Sequence, residues 1–317
     1  MNKGYLEYWG FKKDPFYLAP DNEMMYLGGQ YYECFERLLY AVTTNKGGTL
    51  LVSEEAGLGK TTILLKLVAE MKWSYGENFR CAFIDHPTLT AAQLISQISC
   101  SLVPAEPQAD KSLNLTKRKE GLTRLKKAGG KALIVIDEAH VLGERPGVLQ
   151  DLRMLLNLTH EKEYLFTMVL SGQRPLWDTM RAIPEFWQRL PVKYYLVPLS
   201  LRETAELIAC RMEKAGHEGD VEIFTDEALE IIQRFTRGLP RTIVALCDLC
   251  LLIGAMYQAK RIGFKEVSKA MHVMSGKGHD GSPPYHRVEK GMEKKDADRS
   301  FLRSIMRRMK WQRKARA

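Results

Sequence analysis

Gly57-Leu58-Gly59-Lys60-Thr61-Thr62 is a glycine turn ending in a cation and two hydroxyls. It follows the apolar run Thr49-Leu50-Leu51-Val52 and precedes Ile63-Leu64-Leu65-Lys66-Leu67-Val68, a helix-compatible stretch. A strand, a tight turn and a helix in that order aim backbone N–H groups and a helix N-terminus at one point, which suits a phosphate. Lys60 would then reach the β- and γ-phosphates, the Thr61 hydroxyl would hold Mg²⁺, and Gly57, Gly59 and Thr62 would complete the cradle. The spacing predicts a P-loop that holds phosphates and Mg²⁺. A chance glycine turn before Lys-Thr is the plainer alternative, and the flanking strand and helix argue against it. The pattern G-x-x-x-x-G-K-[ST] asks for glycine at position 54, where this chain has Glu54. Glycine is used there for backbone freedom and lack of bulk. A carboxylate instead brings negative charge toward a polyphosphate, which puts nucleotide affinity in question but not the fold.

Leu133-Ile134-Val135-Ile136 runs into Asp137 and Glu138. Two acids at the end of a buried strand let Asp137 hold the metal and Glu138 polarise the water that attacks the γ-phosphate. Alone they would read as a solvated turn; downstream of a P-loop they read as chemistry. His140 completes the letters D-E-A-H, but no further helicase motif accompanies them. Met168-Val169-Leu170-Ser171-Gly172-Gln173 is another strand that stops at polar groups, with Gln173 the first candidate to touch the γ-phosphate or the water and Ser171 the second. A surface Gln at a strand-to-loop transition is the competing reading. Arg189 lies just before the fifth strand run, and Arg241 opens a helix after Gly238-Leu239-Pro240. An arginine supplied across a subunit interface, or from a lid, stabilises transition-state charge.

The elements that must position these residues are legible. Between residues 45 and 200 the runs Thr49–Val52, Cys81–Ile84, Ala132–Ile136, Phe166–Leu170 and Tyr194–Val197 alternate with longer helix-compatible segments. That alternation predicts an α/β fold with a five-stranded parallel sheet. Residues 201–275 carry helical periodicity instead, with Thr225-Asp226-Glu227-Ala228 as a helix start, and predict a small α-helical lid domain. Residues 1–200 are read as the nucleotide-binding domain with an N-terminal extension, and 276–317 as a linker and tail.

Composition narrows the classes. The 317 residues are 45% apolar and 27% charged, which excludes a disordered or fibrous chain. Six scattered cysteines suit a reducing compartment, and no apolar opening segment resembles a signal peptide, so the expectation is a cytoplasmic protein. Cys247-x-x-Cys250 lacks a second pair at zinc spacing and reads as packing. Phe11 and Phe16 suit either an adenine cover or a core. The net charge of +9 is uneven: residues 275–317 carry +8. From Asp298 that tail is also amphipathic, with Phe301, Ile305 and Met309 at i, i+4 and i+8. Such a segment suits phosphate backbones, an anionic membrane surface or an acidic groove.

In order, Gly57 to Thr62, Asp137-Glu138, Ser171-Gly172-Gln173-Arg174-Pro175-Leu176, Gln188-Arg189 and Gly238-Leu239-Pro240-Arg241 resemble the AAA+ ATPases of the ExeA/GspA secretion type and their TnsC/TniB-like relatives. The opening Tyr8-Trp9-Gly10-Phe11-Lys12-Lys13-Asp14-Pro15-Phe16 resembles the same family, so the likeness spans about residues 5–270. The resemblance implies ATP and Mg²⁺ at Lys60, Thr61 and Asp137, and hydrolysis with Glu138. It makes Gln173 sensor 1, Arg189 the arginine finger and Arg241 sensor 2. Where the family often has a second Arg after Gln-Arg, this chain has Lys193, so Lys193 and Arg181 stand beside Arg189 as cations acting in trans. It further implies a homo-oligomeric ring or filament. The expected function is a DNA-associated ATPase acting with duplex DNA and a transposase. The alternative is the ATPase of a secretion or pilus complex engaged through the basic tail.

Overall fold

The computed structural model describes residues 4–85, 87–103, 111–217 and 222–276. They divide into an α/β unit, residues 20–197, and a helical unit in which residues up to 19 join those from 198 onward. The strands are β1 (Gly48–Ser53), β2 (Phe79–Ile84), β3 (Lys131–Ile136), β4 (Thr159–His160), β5 (Glu163–Tyr164), β6 (Thr167–Gln173) and β7 (Val192–Leu196). The helices are α1 (Gly4–Trp9), α2 (Gln30–Thr43), α3 (Lys60–Tyr75), α4 (Ala91–Leu102), α5 (Lys111–Lys127) and α6 (Pro146–Leu155), then α7 (Arg174–Arg181), α8 (Pro184–Trp187), α9 (Leu201–Lys214), α10 (Asp226–Thr236), α11 (Pro240–Met256) and α12 (Phe264–Met274).

In the α/β unit five strands form one parallel sheet in the order β2-β3-β6-β1-β7. Side chains alternate across its two faces. Leu50, Val52, Ile134, Ile136, Met168 and Leu170 share one core with Leu94 and Ile98 of α4, Leu152 of α6 and Leu176 of α7. Helices α2 and α3 belong with the other face, where the Thr167 hydroxyl donates to the Ala41 carbonyl of α2 at 3.2 Å. Burial on both faces is why β1 and β6 read as unbroken apolar runs. The five expected strands are all present. The short antiparallel hairpin β4–β5 was not expected. Its two-residue strands carry no periodic signal, and its turn uses Glu161 and Lys162 at φ 50° and 65° in place of the usual Asn or Gly.

In the helical unit, α9 starts at a Ser200–Glu203 capping box and α10 at Thr225, whose hydroxyl accepts the Ala228 N–H as the sequence predicts. After α10 the chain reverses through Arg237 and Gly238, both left-handed. A Cβ on Gly238 would come within 2.1 Å of the Leu199 carbonyl oxygen, so only glycine fits. This unit also corrects the expected boundary, because the opening residues pack here and not on the sheet. The Trp9 indole donates to the Leu251 carbonyl at 2.8 Å, the Lys12 N–H to Ala215 at 2.9 Å, and Phe16 meets Phe224 edge-on. These aromatic residues need an apolar face, and the helices supply one. Phe16 is 1% exposed and Phe11 stacks near His217, so within this unit both serve the core. Cys247 and Cys250 are buried, and burial pushes both thiols up, in keeping with packing.

One half-buried acid is expected to make the stability of this unit depend on pH. Asp248 of α11 accepts the Tyr5 hydroxyl of α1 at 3.0 Å. Burial raises its carboxyl above the usual range, Asp14 adds to that, and the Tyr5 hydrogen bond opposes it. A carboxyl raised in the folded state takes up its proton before the unfolded one does. Its contribution is therefore complete below the ordinary carboxylate range and is lost as pH rises through the raised value. Asp248→Asn is expected to raise the melting temperature by a few degrees near neutral pH, with the gap closing as pH falls through that window. Thermal melts at two pH values check it; a gap independent of pH contradicts it.

No helix among the described residues is long and apolar enough to cross a membrane. The basic tail, including Phe301, Ile305 and Met309, lies outside the described residues.

Candidate functional site

The site forms where β1, β3 and β6 end. After Ser53 the loop turns through Gly57 and Gly59 at φ 84° and 82°, and α3 starts at Lys60 with Gly59 as its N-cap. Side chains strain that backbone, which accounts for both glycines. The Lys60 side chain runs inward and is 4% exposed, and its ammonium donates to the Ser53 hydroxyl at 2.7 Å. Burial lowers its pKa, while Glu138 and Asp137 pull it back up. A buried ammonium with one neutral partner, under a loop of left-handed glycines, is a cradle that favours an anion.

Thr61 opens toward β3. Its hydroxyl donates to Asp137 Oδ2 at 2.5 Å, so residues 76 apart in sequence meet at the site. Asp137 is 3% exposed, and its other oxygen accepts the Glu138 N–H at 3.0 Å. Two oxygen donors of this kind suit Mg²⁺, which takes few protein ligands. Thr62 follows in the same turn of α3. Glu138 stands at φ 50°, a left-handed position two residues beyond the end of β3. Its Oε2 lies 3.3 Å from His140 Nδ1, without hydrogen-bond geometry.

Strand β6 lies between β1 and β3, so its polar end falls between the P-loop and the acids. Gln173 pairs in register with Ser53, and Ser171 with Leu51. Gln173 is half-buried at the N-terminus of α7, whereas the Ser171 hydroxyl is fully buried and has no hydrogen-bond partner. Both sensor candidates therefore reach the same region.

Arg189 does not. The Arg189 carbonyl accepts the Gly48 N–H at 3.1 Å, at the start of β1 and the opposite end of the strand from the P-loop. At about 3.3 Å per residue, β1 keeps Arg189 on the order of 15–20 Å from the loop of its own chain. Its guanidinium donates to Asn157 Oδ1 at 2.5 Å and to the Arg153 carbonyl at 3.2 Å. The Lys193 ammonium sits 4.3 Å over the Trp187 ring, and burial lowers its pKa. Arg181 is exposed at the end of α7, and Arg241 is exposed in the first turn of α11 in the helical unit.

Glu54 does what sequence reasoning did not foresee. Its backbone is not left-handed, so the missing glycine costs no strain here. Its carboxylate accepts Arg174 Nη1 at 2.9 Å and the Tyr195 hydroxyl. Those two hydrogen bonds, Tyr195 first, hold its pKa below the usual carboxylate range. The charge expected to face a polyphosphate is thus already countered. Arg174 and Tyr195 are the residues missed; the faint signal was a second cation directly after Gln173.

A family description of an AAA domain matches residues 44–180. The chain is 29% identical over 282 residues to General secretion pathway protein A of Aeromonas hydrophila, covering 88% of this chain and 50% of that one. It thus spans half the length of this curated relative. Among solved structures, the Aeropyrum pernix ORC2 protein (ADPNP–ADP complexes) has a TM-score of 0.59 at 17% identity, over 83% of this chain and 70% of that one. The Aeropyrum pernix ORC1 protein in complex with DNA has a TM-score of 0.59 at 16% identity, over 83% and 69%. At these identities the two show fold. The strand order, the loop on β1, the acids on β3 and these likenesses agree: the α/β unit has the AAA+ P-loop fold, and the chain is similar to General secretion pathway protein A over most of its own length.

Proposed function

We propose that this chain is an ATPase that binds ATP with Mg²⁺ at the P-loop and hydrolyses it between subunits of a homo-oligomer. The observation that carries the reading is the meeting of Thr61 and Asp137 at 2.5 Å beside the buried Lys60. Lys60 and the loop N–H groups hold phosphates, and Thr61 and Asp137 hold the metal, which supplies charge neutralisation to the phosphoryl group. Glu138 accepts a proton from water, and Gln173, with Ser171 behind it, orients that water. Arg189, remote from its own loop, serves the site of a neighbouring subunit. Arg241 keeps the sensor 2 role that the family resemblance implies.

The work that ATP drives is proposed to be regulation on DNA, resembling the transposition regulators, with duplex DNA and a transposase as partners. The +8 tail supports it, and the ORC1 neighbour is described in complex with DNA. A second reading, a secretion or pilus ATPase, is favoured by the similarity to General secretion pathway protein A.

Salt dependence separates them. Each phosphate contact adds about −0.9 to the log–log slope of affinity against salt. Full-length protein is expected to bind duplex DNA with a steep slope, and protein ending at residue 276 with a shallower one, while nucleotide binding is unchanged. Equal slopes refute a DNA-binding tail. Binding to anionic liposomes that is lost in Ile305→Asp supports the secretion reading instead.

A further inference from the structure

The ion pair at the mouth of the P-loop is unevenly built. Glu54 Oε2 is anchored by Tyr195, whose ring sits edge-on to Trp177 at 5.7 Å and whose pKa is pushed up to about 12, by burial first and then by Glu54. Glu54 Oε1 is held by Arg174, whose side chain is 62% exposed. Arg174 has Glu54 as its one ion-pair partner among the described residues. An exposed pair of this kind adds little to stability, so exchanging its partner costs little. Arg174 is also well placed. It follows Gln173, which pairs with Ser53, and Ser53 in turn accepts the Lys60 ammonium. The two cations thus meet adjacent residues of one loop, Lys60 on Ser53 and Arg174 on Glu54.

We propose that Glu54 is a stand-in anion for Arg174, and that Arg174 leaves it for the terminal phosphate of a nucleoside triphosphate. The exchange makes Arg174 a residue that distinguishes triphosphate from diphosphate, with Tyr195 keeping Glu54 in place when its partner leaves. A guanidinium can bind phosphate through two charge-assisted hydrogen bonds, whereas one such bond joins Arg174 to Glu54 here. The inference rests on the P-loop reading above. Its rival is static: Arg174 only cancels the charge of Glu54.

Calorimetric titration with Mg²⁺–ATPγS and with ADP decides between them. In Arg174→Gln, ATPγS affinity is expected to fall roughly tenfold and ADP affinity to change by less than about twofold. Glu54→Gln frees Arg174 and is expected to tighten ATPγS several-fold. The double variant keeps the roughly tenfold deficit relative to Glu54→Gln, because the binding cation is gone. Equal weakening of both nucleotides in Arg174→Gln, or full recovery in the double variant, overturns the exchange in favour of the static pair. Arg174→Lys, which retains charge without the fork, is expected to recover only part of the ATPγS affinity, and full recovery overturns the bidentate contact. Lys60→Ala, titrated alongside, separates the premises: undiminished binding there overturns the P-loop reading and this inference with it. Normal loss in Lys60→Ala with an unaffected Arg174→Gln overturns only the inference.

Discussion

Lys60→Ala is expected to lose ATP affinity by on the order of a hundredfold, whereas Glu138→Gln should bind ATP as tightly as the parent and lose about 10²–10⁴-fold in turnover. The two residues act on different steps. Lys60 brings a buried positive charge to the cradle, and its removal leaves Ser53 as the polar group below the loop. Glu138 lies beyond the strand end, with its backbone N–H fixed by Asp137, so a glutamine of the same size keeps the local geometry. What the glutamine cannot do is take a proton. Equilibrium binding of labelled ATP and a phosphate-release assay on both variants check this. Equal turnover in Glu138→Gln and the parent removes Glu138 from the chemistry.

Arg189→Ala is expected to bind ATP normally and to lose turnover by about 10³–10⁵-fold, the range typical of a trans-acting arginine. Its position at the start of β1 leaves it no route to the loop of its own chain. Mixing it with Lys60→Ala should therefore restore activity. At mixed interfaces the Lys60→Ala subunit donates an intact Arg189 to the intact loop of its neighbour. Phosphate release from mixtures of fixed total concentration should peak at intermediate ratios, while each variant alone stays inactive. Absence of rescue in mixtures shown to co-assemble passes the role to Lys193 or Arg181. Since Arg189 also donates to Asn157 and Arg153, unchanged melting of Arg189→Ala separates a lost cation from a loosened α6.

The sheet was readable because parallel strands covered on both faces leave uninterrupted β-branched runs, as in Ala132 to Ile136. Strand β7 was read two residues late: Val192 and Lys193 interrupt nothing in space, but a lysine at a sheet edge looks like a loop in one dimension. The P-loop and the acids were readable because their spacing reflects local backbone demands, left-handed glycines before a helix and acids after a strand. The Glu54–Arg174 pair was not, because it joins residues 120 apart that only the β1–β6 register brings together. The place of residues up to 19 was hidden for the same reason. Trp9 and Tyr5 announce that they need a partner, but not that it is α11.

The strand order also governs how the chain is made. On the ribosome, β3 follows β2 after α4 and α5, whereas the partners of β1, β6 and β7, are among the last parts of the α/β unit to emerge. Until β6 is out, at residue 173, β1 has no partner strand to join, and Gly57 to Thr62 trail an unpaired strand. Sheets closed by such distant pairings fold slowly and expose apolar edges meanwhile. A nascent chain stalled before β6 should therefore be unable to retain nucleotide, and Leu50, Leu51 and Val52 form the stretch that a chaperone would have to shield during synthesis.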